Sequence, residues 1–262
     1  MANRAEIDND IYNRMSDSWW SQNGFLNLLQ SATNPWRVPY FKRVLAELRI
    51  EPAGRQALEI GCGGGLLTEE IARMGFSVTG IDPSRKSLEV ANAHARQSGL
   101  RIDYQLGFGE NLPFDAATFD VVFCCDVLEH IWNWDEAIGE SARVLRPNGI
   151  FFYNTVNRTR SSKLDAIKMM QEWWPTRFAP PNTHVWEMFI TPQELEASAA
   201  GHGLSNLDVV GTEHIGSAAE IILAILLYKS AIITSAEFGR RIRAVEGPDV
   251  SVNYMGYAIK IP

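Results

Sequence analysis

Asp126, Glu129 and His130 bring two carboxylates and one imidazole into five consecutive positions. On a helical turn beginning at Asp126, spacings of three and four put all three on one face. Such a set could hold a divalent ion or move a proton. Mg²⁺ asks for oxygen-rich ligands at about 2.0–2.1 Å and tolerates one imidazole. The same residues would also serve structurally, with Asp126 as a helix cap, Glu129 as a first-turn acid and His130 as a packed ring. His184 is a second candidate base, in a later segment rich in Trp and Pro.

A second group of residues suits a nucleoside. Glu59, Ile60, Gly61, Cys62, Gly63, Gly64 and Gly65 lie between a strand pattern and a helix pattern. Glycines there let the backbone turn tightly and approach a ligand, with free N–H groups at the helix start beyond. The third glycine of a dinucleotide fingerprint would fall at position 66, which is Leu66. No Lys-Ser/Thr pair follows, so this is not a phosphate loop either. Asp82 comes 21 residues after Gly61, at the end of the next strand. A carboxylate there can accept both ribose hydroxyls. The combination points to an adenosine ligand that needs no pyrophosphate. Gly109 and Glu110, within residues 107–114, offer backbone groups to an adenine edge.

These residues need a scaffold, and the patterning supplies one. Residues 56–61, 77–81, 101–106, 120–125 and 149–154 read as strands. Helices are expected over 66–74, 84–98 and 135–145, with Ser84 as a cap and a turn at Pro147-Asn148-Gly149. Alternation of this kind predicts an α/β fold, a parallel sheet with helices on both faces. A helix from Thr191 to about Ala200 and strands at 204–211 and 251–261 close the chain. Residues 1–50, with Trp19, Trp20 and Trp36, look helical. Two insertions, at about 157–190 and 214–248, follow strands of the second half, where an α/β sheet carries its substrate-covering loops.

The motifs resemble those of class I S-adenosylmethionine-dependent methyltransferases: the glycine turn, the acid after the second strand, Gly-Glu-Asn-Leu-Pro-Phe, and Leu-Arg-Pro-Asn-Gly before the fifth strand. Ser18-Trp19-Trp20, Asn34-Pro35-Trp36-Arg37, Asp126-Val127-Leu128-Glu129-His130, Asn157-Arg158, Thr183-His184 and Val252-Asn253-Tyr254-Met255 are similar to the ubiquinone-biosynthesis O-methyltransferases. That family methylates phenolic hydroxyls of polyprenylated catechols. The resemblance implies a doubly wound, seven-stranded, Rossmann-like sheet with its last strand antiparallel. Residues 1–50 would form an N-terminal helical cap, and 51–262 the methyltransferase domain with its two lid insertions.

It also implies cofactor contacts at Arg37, Gly61, Asp82 and Cys125, beside Glu59, Cys62, Gly63, Gly109 and Glu110. Arg37 would clamp the methionine carboxylate. Metal ligands are implied at Asp126, Glu129 and His130, where the family carries Glu at the first position. A phenol has a pKa near 10, so a metal, or His130 with Glu129 as catalytic groups, would help generate the phenolate. The expected substrate is a small aromatic molecule. A methyltransferase of specialised metabolism with another acceptor is the alternative. An assembly subunit that binds the nucleoside without turnover would carry the same glycine turn.

Composition narrows the classes further. With 46% hydrophobic and 21% charged residues, the chain is globular rather than disordered. A net charge of −7 argues against nucleic acid as a partner. Three cysteines, two of them adjacent, suit a reducing compartment, hence a cytoplasmic location. No secretory signal is read in residues 1–18. The apolar run 221–228 is eight residues long, against the roughly 20 a spanning helix needs. Peripheral membrane contact through 157–190 or 214–248 is expected instead, with Arg158, Arg160, Lys163, Lys168 and Arg177 near Met and Trp. A homodimer is the other use for an apolar surface of this kind.

Overall fold

Side-chain alternation along the apolar runs builds the core. In β4 (Phe119–Cys125), Val122 and Cys124 pack on one face of the sheet with Leu58, Ile60, Phe151 and Tyr153. Their neighbours Val121, Phe123 and Cys125 pack on the other with Ala57, Ile150 and Phe152. A strand buried on both faces must lie at the centre of a covered sheet. The computed structural model describes residues 6–262, so the first five residues of the expected 1–50 cap lie outside the described residues.

The remaining strands are β1 (Gln56–Ile60), β2 (Ser77–Asp82), β3 (Asp103–Leu106), β5 (Leu145–Val156), β6 (Leu204–His214), β7 (Ala244–Gly247) and β8 (Asn253–Lys260). They form one sheet in the order β3-β2-β1-β4-β5-β8-β6-β7. The first five pair in parallel, and β8 runs antiparallel between β5 and β6. The antiparallel last strand is as expected, but the sheet has eight strands rather than seven. The extra one, β7, returns from the insertion 214–248 and pairs antiparallel with β6, Gly211 opposite Gly247 and His214 opposite Ala244. An edge strand offers unpaired N–H and C=O groups, and here the insertion itself satisfies them. The expected turn at 147–149 is a bulge inside β5: Asn148 takes φ 62°, and the register with β4 slips between Leu145 and Ile150.

Among the helices, α1 (Ile11–Arg14) and α2 (Asn34–Glu47) precede the sheet. α3 (Leu66–Arg73), α4 (Arg85–Gln97) and α5 (Trp134–Val144) link its parallel strands. α6 (Arg160–Ser162), α7 (Pro192–Gly201), α8 (Ala218–Lys229) and α9 (Ser235–Arg241) follow. α2 and α3 cover one face, where Phe41, Phe123 and Phe152 meet at centroid distances of 4.9–5.2 Å. α5 and α7 cover the other through Ala137, Ile138, Leu195 and Ala199. Ser84 caps α4 as its sequence position suggests, accepting from the Ser87 N–H. Among the described residues before Asn34 the chain is less helical than its composition suggests, with the four-residue α1, a tight turn at Ser16–Ser18 and a wide helical turn at Leu29–Thr33. These residues are held instead by tryptophan: Trp19 is buried and Trp20 stacks on His94 at 3.4 Å.

Candidate active site

All the residues expected to touch cofactor or metal line one cavity of about 810 Å³ at the carboxyl ends of the parallel strands. The glycine turn forms part of its floor. Gly61 and Gly63 take φ 69° and 51°, a region that disfavours a side chain. A Cβ at Gly61 would also strike Val127, and one at Gly63 the Trp19 ring.

Asp82, at the end of β2, accepts from the Gly63 N–H at 2.9 Å through one oxygen and from the Ser84 N–H at 2.7 Å through the other. Each oxygen keeps a lone pair for a further donor. Burial raises the Asp82 pKa to about 6, against the opposing pull of those two bonds. Cys62, Gly109, Glu110 and Cys125 line the same space, as does Phe108, which is exposed. Glu59 is buried beneath the turn, accepts from the Thr68 hydroxyl, and is raised to about 7 by burial. This donor and acceptor set fits an adenosine moiety: a close backbone, a strand-end carboxylate with free lone pairs, and room above.

Arg37 is 3% exposed. Its Nε donates to Asn34 Oδ1 at 2.8 Å, and Asn34 in turn donates to the Leu66 carbonyl at 3.1 Å. The guanidinium is thereby aimed across the cavity, where it pairs with Asp126. That pairing changes the geometry expected of residues 126–130. No helical turn begins at Asp126, which takes φ 56°, a left-handed conformation that Asp tolerates better than most residues. A short turn follows only at Leu128–His130. Asp126 faces Arg37, while Glu129 and His130 turn toward His184. Ligand-capable atoms of Glu129, His130 and His184 lie within 4.8 Å of one another, a group that does not include Asp126.

Each member of this group is held in place. Glu129 is 1% exposed and accepts from the Thr155 hydroxyl at 2.8 Å. Tyr12 Oη meets His130 Nε2 at 3.2 Å, and Asn9 donates to the His130 carbonyl at 3.0 Å. Gln171 grips the His184 main chain at both its N–H (2.7 Å) and its carbonyl (3.2 Å). The two imidazoles stand 5.2 Å apart, and the Nδ1 atom of each is buried without a hydrogen-bond partner among the described residues. Burial, with the charge of Asp126 second, raises Glu129 to about 8. Burial lowers His184 to about 4, and lowers His130 well below the usual range with His184 as a further cause. Orphaned imidazole nitrogens beside a buried carboxylate are a donor set that fits a divalent ion.

A pH dependence of stability follows. Glu129 and Glu59 have folded pKa values above the ordinary carboxylate value, so they favour the folded state at low pH and lose that contribution as pH rises through 7 to 8. The lowered histidines act oppositely, but their contribution is complete above about pH 6.5. Between pH 6.5 and 8 the carboxylates dominate. The midpoint of thermal unfolding of the metal-free protein is expected to fall by about 5 °C across that window. Scanning fluorimetry in EDTA would read it; a flat or rising midpoint would contradict the burial of these two acids.

Both insertions supply apolar lining at the far wall of the cavity, Met169, Met170 and Phe178 from one and Ile221, Ile225 and Phe238 from the other, with Asp165 and His214 among them. Tyr12, Gln171 and Thr155 carried no sequence signal, and Asn34 was visible only as part of the motif that ends in Arg37. Each acts on a residue at least 13 positions away, save Asn34, whose Arg37 partner is one helical turn on.

Comparison with known proteins accords with this geometry. A family model described as a methyltransferase domain matches residues 58–153. The chain is 35% identical to the ubiquinone biosynthesis O-methyltransferase of Agrobacterium fabrum, over 79% of this chain and 84% of that one. It is 38% identical to the protein of that name from Methylocella silvestris, over 76% and 82%. A crystal structure of a SAM-dependent methyltransferase from Aquifex aeolicus superimposes with a TM-score of 0.58 at 14% identity, covering 98% of this chain and all of the other, and so shares its fold.

Proposed function

The chain belongs to the ubiquinone biosynthesis O-methyltransferase family, and from that premise we propose that it methylates a phenolic hydroxyl of a polyprenylated catechol. Membership makes it an S-adenosylmethionine-dependent methyltransferase acting on a small molecule. One observation carries the finer reading: a single cavity joins a nucleoside-suited floor to the Glu129–His130–His184 cluster and a mainly apolar far wall. The cofactor would supply an electrophilic methyl group. Asp82 would accept the ribose hydroxyls, with Gly61, Cys62 and Gly63 beneath and Gly109 and Glu110 toward the adenine. Glu59 and Cys125 would back the methionine side, and Arg37, still paired with Asp126, would reach the methionine carboxylate.

Glu129 and His130 would face the acceptor hydroxyl, as ligands of a divalent ion or, without one, with His130 taking the proton. A bound ion would lower the pKa of the phenol. The remaining demand is alignment of oxygen, methyl carbon and sulfur, which the buried walls enforce by excluding other poses.

Residues 1–50 are read as a cap over a methyltransferase domain spanning 51–262, and the insertions as covers that admit a lipophilic chain. α8 presents Ile225 to the cavity and Ile222, Leu223 and Leu226 outward, each of these three at least 40% exposed. Trp173 and Trp174 are exposed beside it, with Lys229 over the Trp174 ring at 5.0 Å. Apolar side chains edged by aromatics and a cation suit peripheral contact with a membrane, the source of a prenylated substrate. No helix among the described residues is long and apolar enough to cross one. Three free, buried cysteines suit a cytoplasmic setting. A homodimer would compete for the same face.

The test is methyl transfer from S-adenosylmethionine to a short-chain polyprenyl catechol, in detergent and on anionic vesicles, with and without EDTA. A product heavier by one CH₂ unit, formed faster on vesicles and lost in EDTA, is expected. Cofactor binding without that product would move the assignment to a different acceptor in specialised metabolism.

A further inference from the structure

We propose that His184, rather than Asp126, completes a site with Glu129 and His130, and that this two-imidazole, one-carboxylate site takes a first-row divalent transition ion. The inference rests on the reading that a divalent ion acts at Glu129 and His130, and it names the third ligand and the class of ion. Three observations carry it. First, Asp126 is committed elsewhere: its left-handed backbone aims the carboxylate at Arg37. Second, His184 is in place, with atoms of all three residues within 4.8 Å. Third, both imidazoles bury an Nδ1 atom that has no partner among the described residues. Buried polar atoms are almost always paired, so two orphans side by side mark a site for something not made of protein.

The surroundings fit ligation. With Tyr12 Oη against His130 Nε2, a ring that donates from Nε2 leaves its Nδ1 lone pair free for an ion. Gln171 fixes the main chain of His184 on both sides. Two nitrogens and one carboxylate are a poor set for Mg²⁺, which prefers oxygen, and a good one for Mn²⁺, Fe²⁺, Co²⁺ or Zn²⁺. The site also joins distant parts of the chain. Glu129 and His130 follow β4, while His184 belongs to the covering segment 157–190, so an ion would tie that cover to the sheet.

Co²⁺ titration of the metal-stripped full chain tests this through visible d–d absorption, independent of turnover. The wild type is expected to develop bands. His184→Ala should raise the apparent Co²⁺ Kd by about 100-fold or more, beyond the usual effect of losing an outer-sphere partner. Asp126→Asn should leave the bands nearly unchanged, and about a thousandfold excess of Mg²⁺ should not displace them. S-adenosylhomocysteine binding, measured by calorimetry on each variant, verifies folding. If His184→Ala fails that check, His184→Gln is read instead, since it keeps bulk and polarity without an imidazole. Bands lost in Asp126→Asn but kept in the His184 variant would overturn the ligand assignment and restore the Asp126–Glu129–His130 set. Displacement by Mg²⁺ would overturn the ion class. No bands in the wild type would overturn the site itself, whereas methyl transfer persisting in EDTA would show that the metal reading beneath it had failed.

Discussion

His130→Ala is expected to slow methyl transfer to a polyprenyl catechol by about 10³-fold while changing S-adenosylhomocysteine affinity by no more than about threefold. The two effects separate because of where His130 sits. It lies on the turn after β4, on the side of the cavity where the proposal seats the acceptor, and makes none of the contacts around the glycine turn or Asp82. Its ring is restrained by Tyr12 and its carbonyl by Asn9, so truncation removes the imidazole without freeing a long element. The loss should fall on kcat, since the ring matters most as the hydroxyl loses its proton. A purely packed histidine would instead lower thermal stability and leave turnover within a few-fold. Tyr12→Phe supplies an intermediate case, keeping the ring and removing the group that selects its tautomer. A turnover loss confined to a few-fold in His130→Ala would remove this cluster from the chemistry.

The second large effect is on the cofactor. Asp82→Ala is expected to weaken S-adenosylhomocysteine binding by about 100-fold or more in calorimetry. The proposed bonds to the ribose hydroxyls would be lost, and the Gly63 and Ser84 N–H groups lose their acceptor. Hydrogen bonds to a charged group contribute roughly 1.5–3 kcal/mol each, and two of them exceed the 1.4 kcal/mol per tenfold that a 100-fold loss requires. The pH dependence has a definite sign. Burial holds Asp82 near pKa 6, so binding should weaken as pH falls through that value, because a protonated acid offers fewer acceptor sites. Unchanged affinity in Asp82→Ala would place the ribose elsewhere.

Much of this arrangement was legible in local sequence. The strands β1, β2, β4 and the core of β5 announce themselves by buried runs, and the Gly61 turn with Asp82 by spacing. Those signals are short-range, and the physics that produces them is too: β alternation, positive φ at glycine, a serine cap. The failures are long-range. Asp126 reads as a helix cap or ligand from its neighbours, but its direction is decided by Arg37, 89 positions earlier. β7, with the sequence Ala-Val-Glu-Gly, has no pattern of its own and is a strand because β6 is there to pair with it. Thr183-His184 was visible as a motif, yet its meeting with Glu129 depends on how residues 157–190 fold back.

The ladder between β6 and β7 also bears on how fast the enzyme can turn over. It clips together the two ends of the excursion that carries α8 and α9, and the chain leaves that clip at Gly216, φ 132°, where only glycine moves freely. The far end is fastened to the amino-terminal segment by Ser235 on Gln22 and Tyr228 on Gly24. The excursion is therefore held at its base by the sheet and latched at its tip to the amino-terminal segment. If product leaves past it, the latch must break while the sheet stays whole. Motions of that kind run on microseconds to milliseconds, and in many enzymes they set kcat. In such a regime turnover follows solvent viscosity, and loosening the latch speeds the enzyme until the chemical step takes over.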